Sequence, residues 1–220
     1  MNINLAAPEL IMAHRDEITA FLDKYLNIRG FRDDSMNGLQ VQGDARVHKI
    51  ALGVSASLEF FRRSADACAD MAVTHHGLLW SRQERITGQF GDKVRFLIAN
   101  NMSLAAYHLP LDGHPVIGHN RAILRYLGAR SVKPFGDYHE KPIGFQGTLA
   151  KPLSVENVCA ILRRKLASSP QVFSGGPAKI RTVAVVSGGA ASMLGQALGK
   201  GIDLYVTGEP SEYVQEQCRE

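Results

Sequence analysis

Short apolar runs alternate with amphipathic ones along most of this chain, and that alternation limits its fold more than any other feature. A strand at 49–54 (KIALGV) leads to a helix at 57–68, a strand at 71–74 (MAVT), a helix at 92–101 and a strand at 103–107 (SLAAY). A helix at 118–128 ends at Gly128, a residue suited to a helix C-terminal cap. A strand at 143–149 follows, then a helix at 155–167 with Ser154 as N-cap, a strand at 182–186, a helix at 190–199 and a strand at 203–207. A final helical stretch completes the pattern. Strands separated by helices are joined by crossovers and pair in parallel, so the class is α/β with substantially parallel strands. Ahead of the alternation lie a helix at 8–27, with Ile18, Phe21, Leu22, Tyr25 and Leu26 at helical spacing, and a polar, glycine-punctuated stretch at 29–43.

Two segments resemble each other. Residues 49–76 can be laid on 181–209, each reading strand, serine-containing turn, helix, strand and Val-Thr (Val73-Thr74 and Val206-Thr207). An internal duplication and the general likeness of all β-α-β units both account for this. A chain of 220 residues suits one large domain or two small ones, and the Pro- and Gly-containing stretch 130–142 divides it into lobes 1–129 and 130–220.

Composition serves here to exclude. Hydrophobic residues are 45% and charged residues 21%, and no apolar run reaches the ~18 residues of a membrane span. A net charge of +4 suits an anionic ligand such as a nucleotide. The basic residues are scattered, so no nucleic-acid stripe supports binding to DNA or RNA. Cys68, Cys159 and Cys218 have neither disulfide-scaffold nor zinc spacing, and the N-terminus lacks a secretion signal; the expected compartment is the cytoplasm.

Chemistry concentrates at two strand ends. His75-His76 closes the strand at 71–74, where open α/β sheets place their ligands. Adjacent strand residues point to opposite faces, so the pair suits two neighbouring ions at a fraying end better than one ion on regular strand. A solvated or backbone-capped histidine pair is the alternative. The strand at 103–107 runs into His108-Leu-Pro-Leu-Asp112, and if the two strands are neighbours, all four polar groups share one rim. A carboxylate between two histidine-bound ions bridges them, and mixed imidazole and carboxylate donors suit Zn, Fe, Mn, Co or Ni rather than Ca or Mg. Pro110 disfavours a helix between His108 and Asp112. His114, His119 and His139 read as surface residues, Ser187-Gly188-Gly189 as a tight turn, and Trp80 and Phe90 as loop packing.

Four motifs in order, Asp34-Ser-Met-Asn-Gly-Leu-Gln-Val-Gln-Gly43, Val73-Thr-His-His-Gly-Leu-Leu-Trp80, Tyr107-His-Leu-Pro-Leu-Asp112 and Asp203-Leu-Tyr-Val-Thr-Gly-Glu209, resemble the Nif-three-like dinuclear-metal hexameric proteins, the GTP cyclohydrolase 1 type 2 homologues, and especially their short YbgI-type members. The resemblance spans about residues 9–220. It implies two intertwined α/β lobes with mixed sheets, and a toroidal homo-hexamer with metal sites facing its cavity. It implies His75, His76 and Asp112 as ligands of two divalent ions, with His108, Asn37 and Glu209 around them. The family pattern continues past the Thr-Gly-Glu turn to a Gly-His…Glu segment that completes the centre. The sequence to Glu220 does not include that segment, so the expectation is a half-site with incomplete metal occupancy. The implied function is a divalent-metal-binding protein and metal-dependent hydrolase of a nucleotide-like substrate. The alternative is a non-catalytic, ring-shaped metal-containing scaffold or regulatory binding protein.

Overall fold

The computed structural model describes residues 12–82 and 84–220. Contacts divide the chain into two units, the first ending at Leu109 and the second spanning Pro110–Glu220. In chain order the first holds β1 (Ala13–His14), α1 (Arg15–Tyr25), β2 (Gly38–Val41), β3 (Arg46–Val47), β4 (Ile50–Ser55), α2 (Leu58–Asp66), β5 (Met71–His76), α3 (Gly88–Ala99) and β6 (Ser103–Ala106). The short helical turn α4 (Leu109–Asp112) carries the chain into the second unit. There follow α5 (His119–Tyr126), β7 (Ala129–Tyr138), β8 (Lys141–Leu153), α6 (Val155–Leu166), β9 (Ile180–Val186), α7 (Leu194–Gly199), β10 (Leu204–Thr207) and α8 (Val214–Arg219). The protein is therefore mixed α/β, with mixed sheets.

In the first unit β4, β5 and β6 are parallel neighbours, and β2 adds antiparallel to β6, giving the order β2-β6-β5-β4. Parallel pairing puts the C-terminal ends of all three strands on one rim, as the alternation implied. Ser57 caps α2 by accepting the Phe60 N–H at 3.1 Å. Phe61, Ala72, Leu97, Met102 and Leu104 are at most 1% exposed and form the core under this sheet. Each large apolar side chain so buried contributes about 1.5–3 kcal/mol. Positions 8–11 of the expected first helix lie outside the described residues. The helix itself begins at Arg15, because Ala13 and His14 pair with Val47 and Arg46 instead. Its buried face is also more polar than the sequence suggested. Arg15 is buried and donates to the Gly43 carbonyl at 2.7 Å, while Phe21 and Tyr25 stack on each other at 5.6 Å in the open.

The second unit is built on the order β10-β9-β8-β7, with β9 and β10 parallel and the other pairs antiparallel. Leu124, Val158, Leu162, Ile180, Val183 and Val185 form its core. Ser154 caps α6 through the Asn157 N–H, and Gly128 follows α5 at φ 72°, both as expected. The segment 130–142, read above as the lobe boundary, is the β7–β8 hairpin inside this unit. Pro134 is tolerated because β7 is an edge strand, and Pro142 because it begins at the outset of β8. Pro110 likewise does not prevent helix between His108 and Asp112. It sits in the first turn of α4, where a backbone N–H has no intrahelical partner to lose.

The likeness of 49–76 to 181–209 extends to three dimensions. β4-α2-β5 and β9-α7-β10 are both parallel pairs, and both are closed by the same device. Asp70 at the head of β5 accepts the N–H groups of His48 and Lys49 at 2.7 and 3.0 Å. Asp203 at the head of β10 accepts those of Arg181 and Thr182 at 2.8 and 2.9 Å. A shared carboxylate clamp at matched positions is more than the generic likeness of β-α-β units, and it favours duplication.

Candidate metal centre

The rim at the ends of β5 and β6 gathers three imidazoles in the first unit. Pairing of β5 with β6 stops at Thr74 and Ala106, so His75 and His76 lie past the last rung between these strands. The two rings do not splay to opposite faces as regular strand would require; their centroids are 4.5 Å apart. His108, two residues beyond β6, lies 5.0 Å from the His75 ring and 5.6 Å from the His76 ring. One ligating nitrogen from each of the three rings lies within 4.8 Å of the others, a spacing that can hold a metal ion.

Backbone and side-chain bonds orient these rings. His75 Nδ1–H donates to the Tyr107 carbonyl at 3.0 Å. Tyr107 Oη donates to Asp23 Oδ1 at 2.9 Å, tying α1 to the end of β6. Burial raises the Tyr107 pKa, and the Asp23 hydrogen bond and charge raise it further. Asn37 accepts the His108 N–H at 2.7 Å and donates to Asp33 Oδ2 at 2.9 Å. Asp33 receives His108 Nδ1–H on Oδ1 at 2.9 Å and the Leu109 N–H on Oδ2 at 2.9 Å. Burial works to raise the Asp33 pKa, but the bonds from His108, Asn37 and the Ser35 N–H outweigh it and hold the carboxyl below its usual value. Two glycines fix the surrounding loops. Gly38 has φ 104°, a conformation that L side chains rarely adopt, and Gly77 after the histidine pair packs so tightly on Gln40 and Ala106 that a Cβ has no room. Gln40 in turn accepts the N–H groups of Leu78 and Leu79 at 2.7 and 3.0 Å. Trp80 meets the His108 ring edge-on at 5.2 Å, so it packs this site as well as its own loop.

In the second unit Asp112 is buried at the end of α4. Its Oδ1 accepts both His119 Nδ1–H and the Ser187 hydroxyl, each at 2.8 Å. Asn120, fully buried, accepts the Ser187 N–H at 2.6 Å and donates to the Ile143 carbonyl at 2.8 Å. Glu209 is exposed in a turn whose Gly208 and Glu209 N–H groups both donate to the Gly188 carbonyl at 3.1 Å. The Ser187-Gly188-Gly189 segment is therefore a turn that braces the Thr-Gly-Glu turn, as read from the sequence.

Sequence reasoning missed four participants. His119 reads as a surface residue yet engages Asp112, and Asn120 carries no sequence signal beyond its helix start. His114 also reads as surface but is buried, its Nδ1 accepting the Val116 and Ile117 N–H groups at 3.2 Å. Asp33 stands one residue ahead of the first quoted motif. His139 is exposed, as expected.

Comparison with known proteins matches this chain along nearly its whole length. A protein of Archaeoglobus fulgidus described as a GTP cyclohydrolase 1 type 2 homolog is 40% identical over 204 residues, covering 93% of this chain and 81% of the relative. One of the same description from Deinococcus radiodurans is 38% identical over 196 residues, covering 89% and 74%. The solved structure of protein ybgI, of unknown function, superposes with a TM-score of 0.87 at 30% identity, covering 94% of this chain and 83% of its own. That of TTHA1606 from Thermus thermophilus superposes with 0.83 at 32% identity, covering 94% and 82%. Residues 13–220 match the family described as Duf34/NIF3 (NGG1p interacting factor 3), and this chain belongs to it.

Proposed function

We propose that this protein holds two divalent metal ions through His75, His76 and Asp112 and acts as a metal-dependent hydrolase on a nucleotide-like substrate. The observation that carries the reading is the imidazole cluster at the strand ends, with its ring nitrogens within 4.8 Å of one another. The donor set fits the group: imidazoles at His75, His76 and His108, with Nδ1 of His75 and His108 engaged by oxygen acceptors, and a buried carboxylate four residues after His108, suit Zn, Fe, Mn, Co or Ni. Such ions supply Lewis acidity and make water acidic enough to lose a proton near neutral pH. The chain's own residues provide the frame. Tyr107 and Asn37 orient the imidazole side, His119 and Ser187 fix the carboxylate plane of Asp112, and Glu209 stands in the turn braced by Gly188. The net charge of +4 suits an anionic substrate.

The second reading is a ring-shaped, metal-containing scaffold or binding protein without catalysis, assembled as a homo-hexamer. One observation favours it: the edge strand β4 presents Leu52 at 78% and Val54 at 66% exposure, with neither charge nor proline to protect the edge. No helix among the described residues is long and apolar enough to cross a membrane. The three free cysteines suit a reducing compartment, and the proposed location is the cytoplasm. Metal content of untagged protein tests the assignment, with His75→Ala and Asp112→Ala alongside. Each variant is expected to lose bound metal, and stoichiometric metal retained in both would refute it. GTP turnover by the metal-loaded protein then separates the hydrolase from the scaffold.

A further inference from the structure

The register of β4 on β5 decides which of its backbone groups are bonded. Lys49 turns its carbonyl toward β5 and accepts the Met71 N–H at 3.3 Å, and Ile50 stands level with Met71. Successive strand residues turn their polar groups to opposite sides. Ala51, Gly53 and Ser55 therefore also serve β5, while Ile50, Leu52 and Val54 point their N–H and C=O groups outward. Among the described residues no strand pairs with that side of β4. The side chains of the same three residues stand on one face of the sheet, 40%, 78% and 66% exposed. The other face is covered by α2, whose Phe60 packs against Gly53. On the open face Ile50, Leu52 and Val73 line a groove with Ile18, Phe21 and Leu22 of α1. From Ile50 to Ser55 there is neither a charge nor a proline, the residues with which proteins blunt a free edge.

We propose that two copies of this chain pair along β4, antiparallel and about a two-fold axis at Leu52, so that their four-stranded sheets join into one. The segment is its own complement. With Leu52 opposite the partner's Leu52, Ile50 meets the partner's Val54 and Val54 meets the partner's Ile50. These are the residues whose backbone groups point outward, so each pair exchanges both of its hydrogen bonds. The same register lays the apolar side chains of both copies on one face, beside Phe21 of α1, and sets no like charges opposite each other. A slip of one residue opposes Leu52 to the partner's Gly53, whose backbone groups already serve β5. The area suffices as well. Ile50, Leu52, Val54, Phe21 and Tyr25 together expose on the order of 600 Å², so covering them in both copies buries about 1,200 Å², the lower end of a standard stable interface. The pairing goes beyond the ring-shaped reading above, because a dimer alone satisfies it.

The test measures the mass of the full, untagged chain by size exclusion with light scattering, for the parent, Leu52→Lys and Leu52→Glu. Each variant sets like charges opposite each other across the axis, so each alone is expected at half the parent's mass, with its circular dichroism spectrum unchanged. Mixing the two variants in equal amounts sets Lys opposite Glu and is expected to restore the parent's mass. A variant that keeps the parent's mass, or a mixture that stays at half, overturns the proposal. Should the variants fail to fold, amide exchange in the unaltered chain decides. The Ile50, Leu52 and Val54 N–H groups are expected to be protected, increasingly so at higher protein concentration, and free exchange there refutes the pairing. If the unaltered chain runs as a monomer, this inference and the ring reading both fail. If it is assembled and Leu52→Lys leaves the assembly intact, only this inference fails.

Discussion

Asn120 ties three segments of the second unit together, and its loss should be felt throughout that unit. The side chain is fully buried, with Oδ1 accepting the Ser187 N–H at 2.6 Å and Nδ2 donating to the Ile143 carbonyl at 2.8 Å. A third contact, to the Asp112 carbonyl at 3.4 Å, is long and adds little. Asn120→Ala removes two good bonds and leaves a buried carbonyl and a half-buried N–H without a partner. An unsatisfied buried group costs ~1–3 kcal/mol, so the expected destabilisation is about 2–5 kcal/mol. That is a large share of the ~5–15 kcal/mol that holds a typical domain. Urea unfolding followed by circular dichroism, without added metal, should show the midpoint falling by about 1–2.5 M, for a slope near 2 kcal/mol per M. Asn120→Asp sharpens the experiment. It keeps the acceptor for Ser187 but turns a carboxylate oxygen toward the Ile143 carbonyl, which only a protonated carboxyl can satisfy. The variant should be destabilised at pH 7 and recover part of the loss at pH 5. A midpoint for Asn120→Ala within about 0.2 M of the unaltered protein would refute the reasoning, as would an Asn120→Asp variant as stable as the parent at pH 7.

Two further outcomes follow from the same physics. Gly77→Ala places a Cβ against the Gln40 amide and 2.6 Å from Ala106 Cβ, so it should cost about 1–3 kcal/mol in thermal or urea unfolding and loosen the Leu78 and Leu79 N–H groups, detectable by amide exchange. Burial works to raise the Asp203 pKa, but the Thr182 and Arg181 N–H groups, the Thr182 hydroxyl and the Arg181 charge hold it below its usual value. The stability this contributes is present above the unfolded carboxyl value of about 3.9 and is lost as pH falls through the lower folded value. Asp203→Asn should therefore be less stable than the parent at pH 7, with the gap closing below about pH 4; a gap that stays constant with pH would count against the clamp.

Apolar periodicity located the strands of both sheets that lie in helix-separated β-α-β units, because there the pattern of burial is a property of neighbouring residues. It failed where an element is held by something remote. β2 hides in a polar stretch because it is an edge strand whose first residue, Gly38, takes a positive φ, and it is held by β6 some 65 residues away. β7 hides because Pro134 and Gly136 read as linker, yet an edge strand accommodates both. Of the apolar stripe read in α1, Leu26 is buried and Ile18 and Leu22 are half-buried, but Phe21 and Tyr25 are exposed, and the helix also buries Arg15, whose guanidinium finds the Gly43 carbonyl 28 residues on.

The candidate site divides along the same line. His75-His76 and His108…Asp112 are visible because each is a short run at the end of an apolar strand, and chemistry-bearing residues at strand ends carry a positional signal. What orients them carries none. His108 is fixed by Asp33, 75 residues before it, and Asp112 by Ser187, 75 residues after it. Ser187 follows a strand and Asp33 stands one residue ahead of a motif, but neither position names the distant side chain that it holds. The reason is that a donor or acceptor in a buried network is chosen by geometry in three dimensions, where one carboxylate oxygen serves two donors and any local sequence that delivers it will do. The residues that hold reactive groups in place are therefore the part of this site that only the three-dimensional structure could supply, and the variants at Asn120, which holds the Ser187 backbone, probe that part directly.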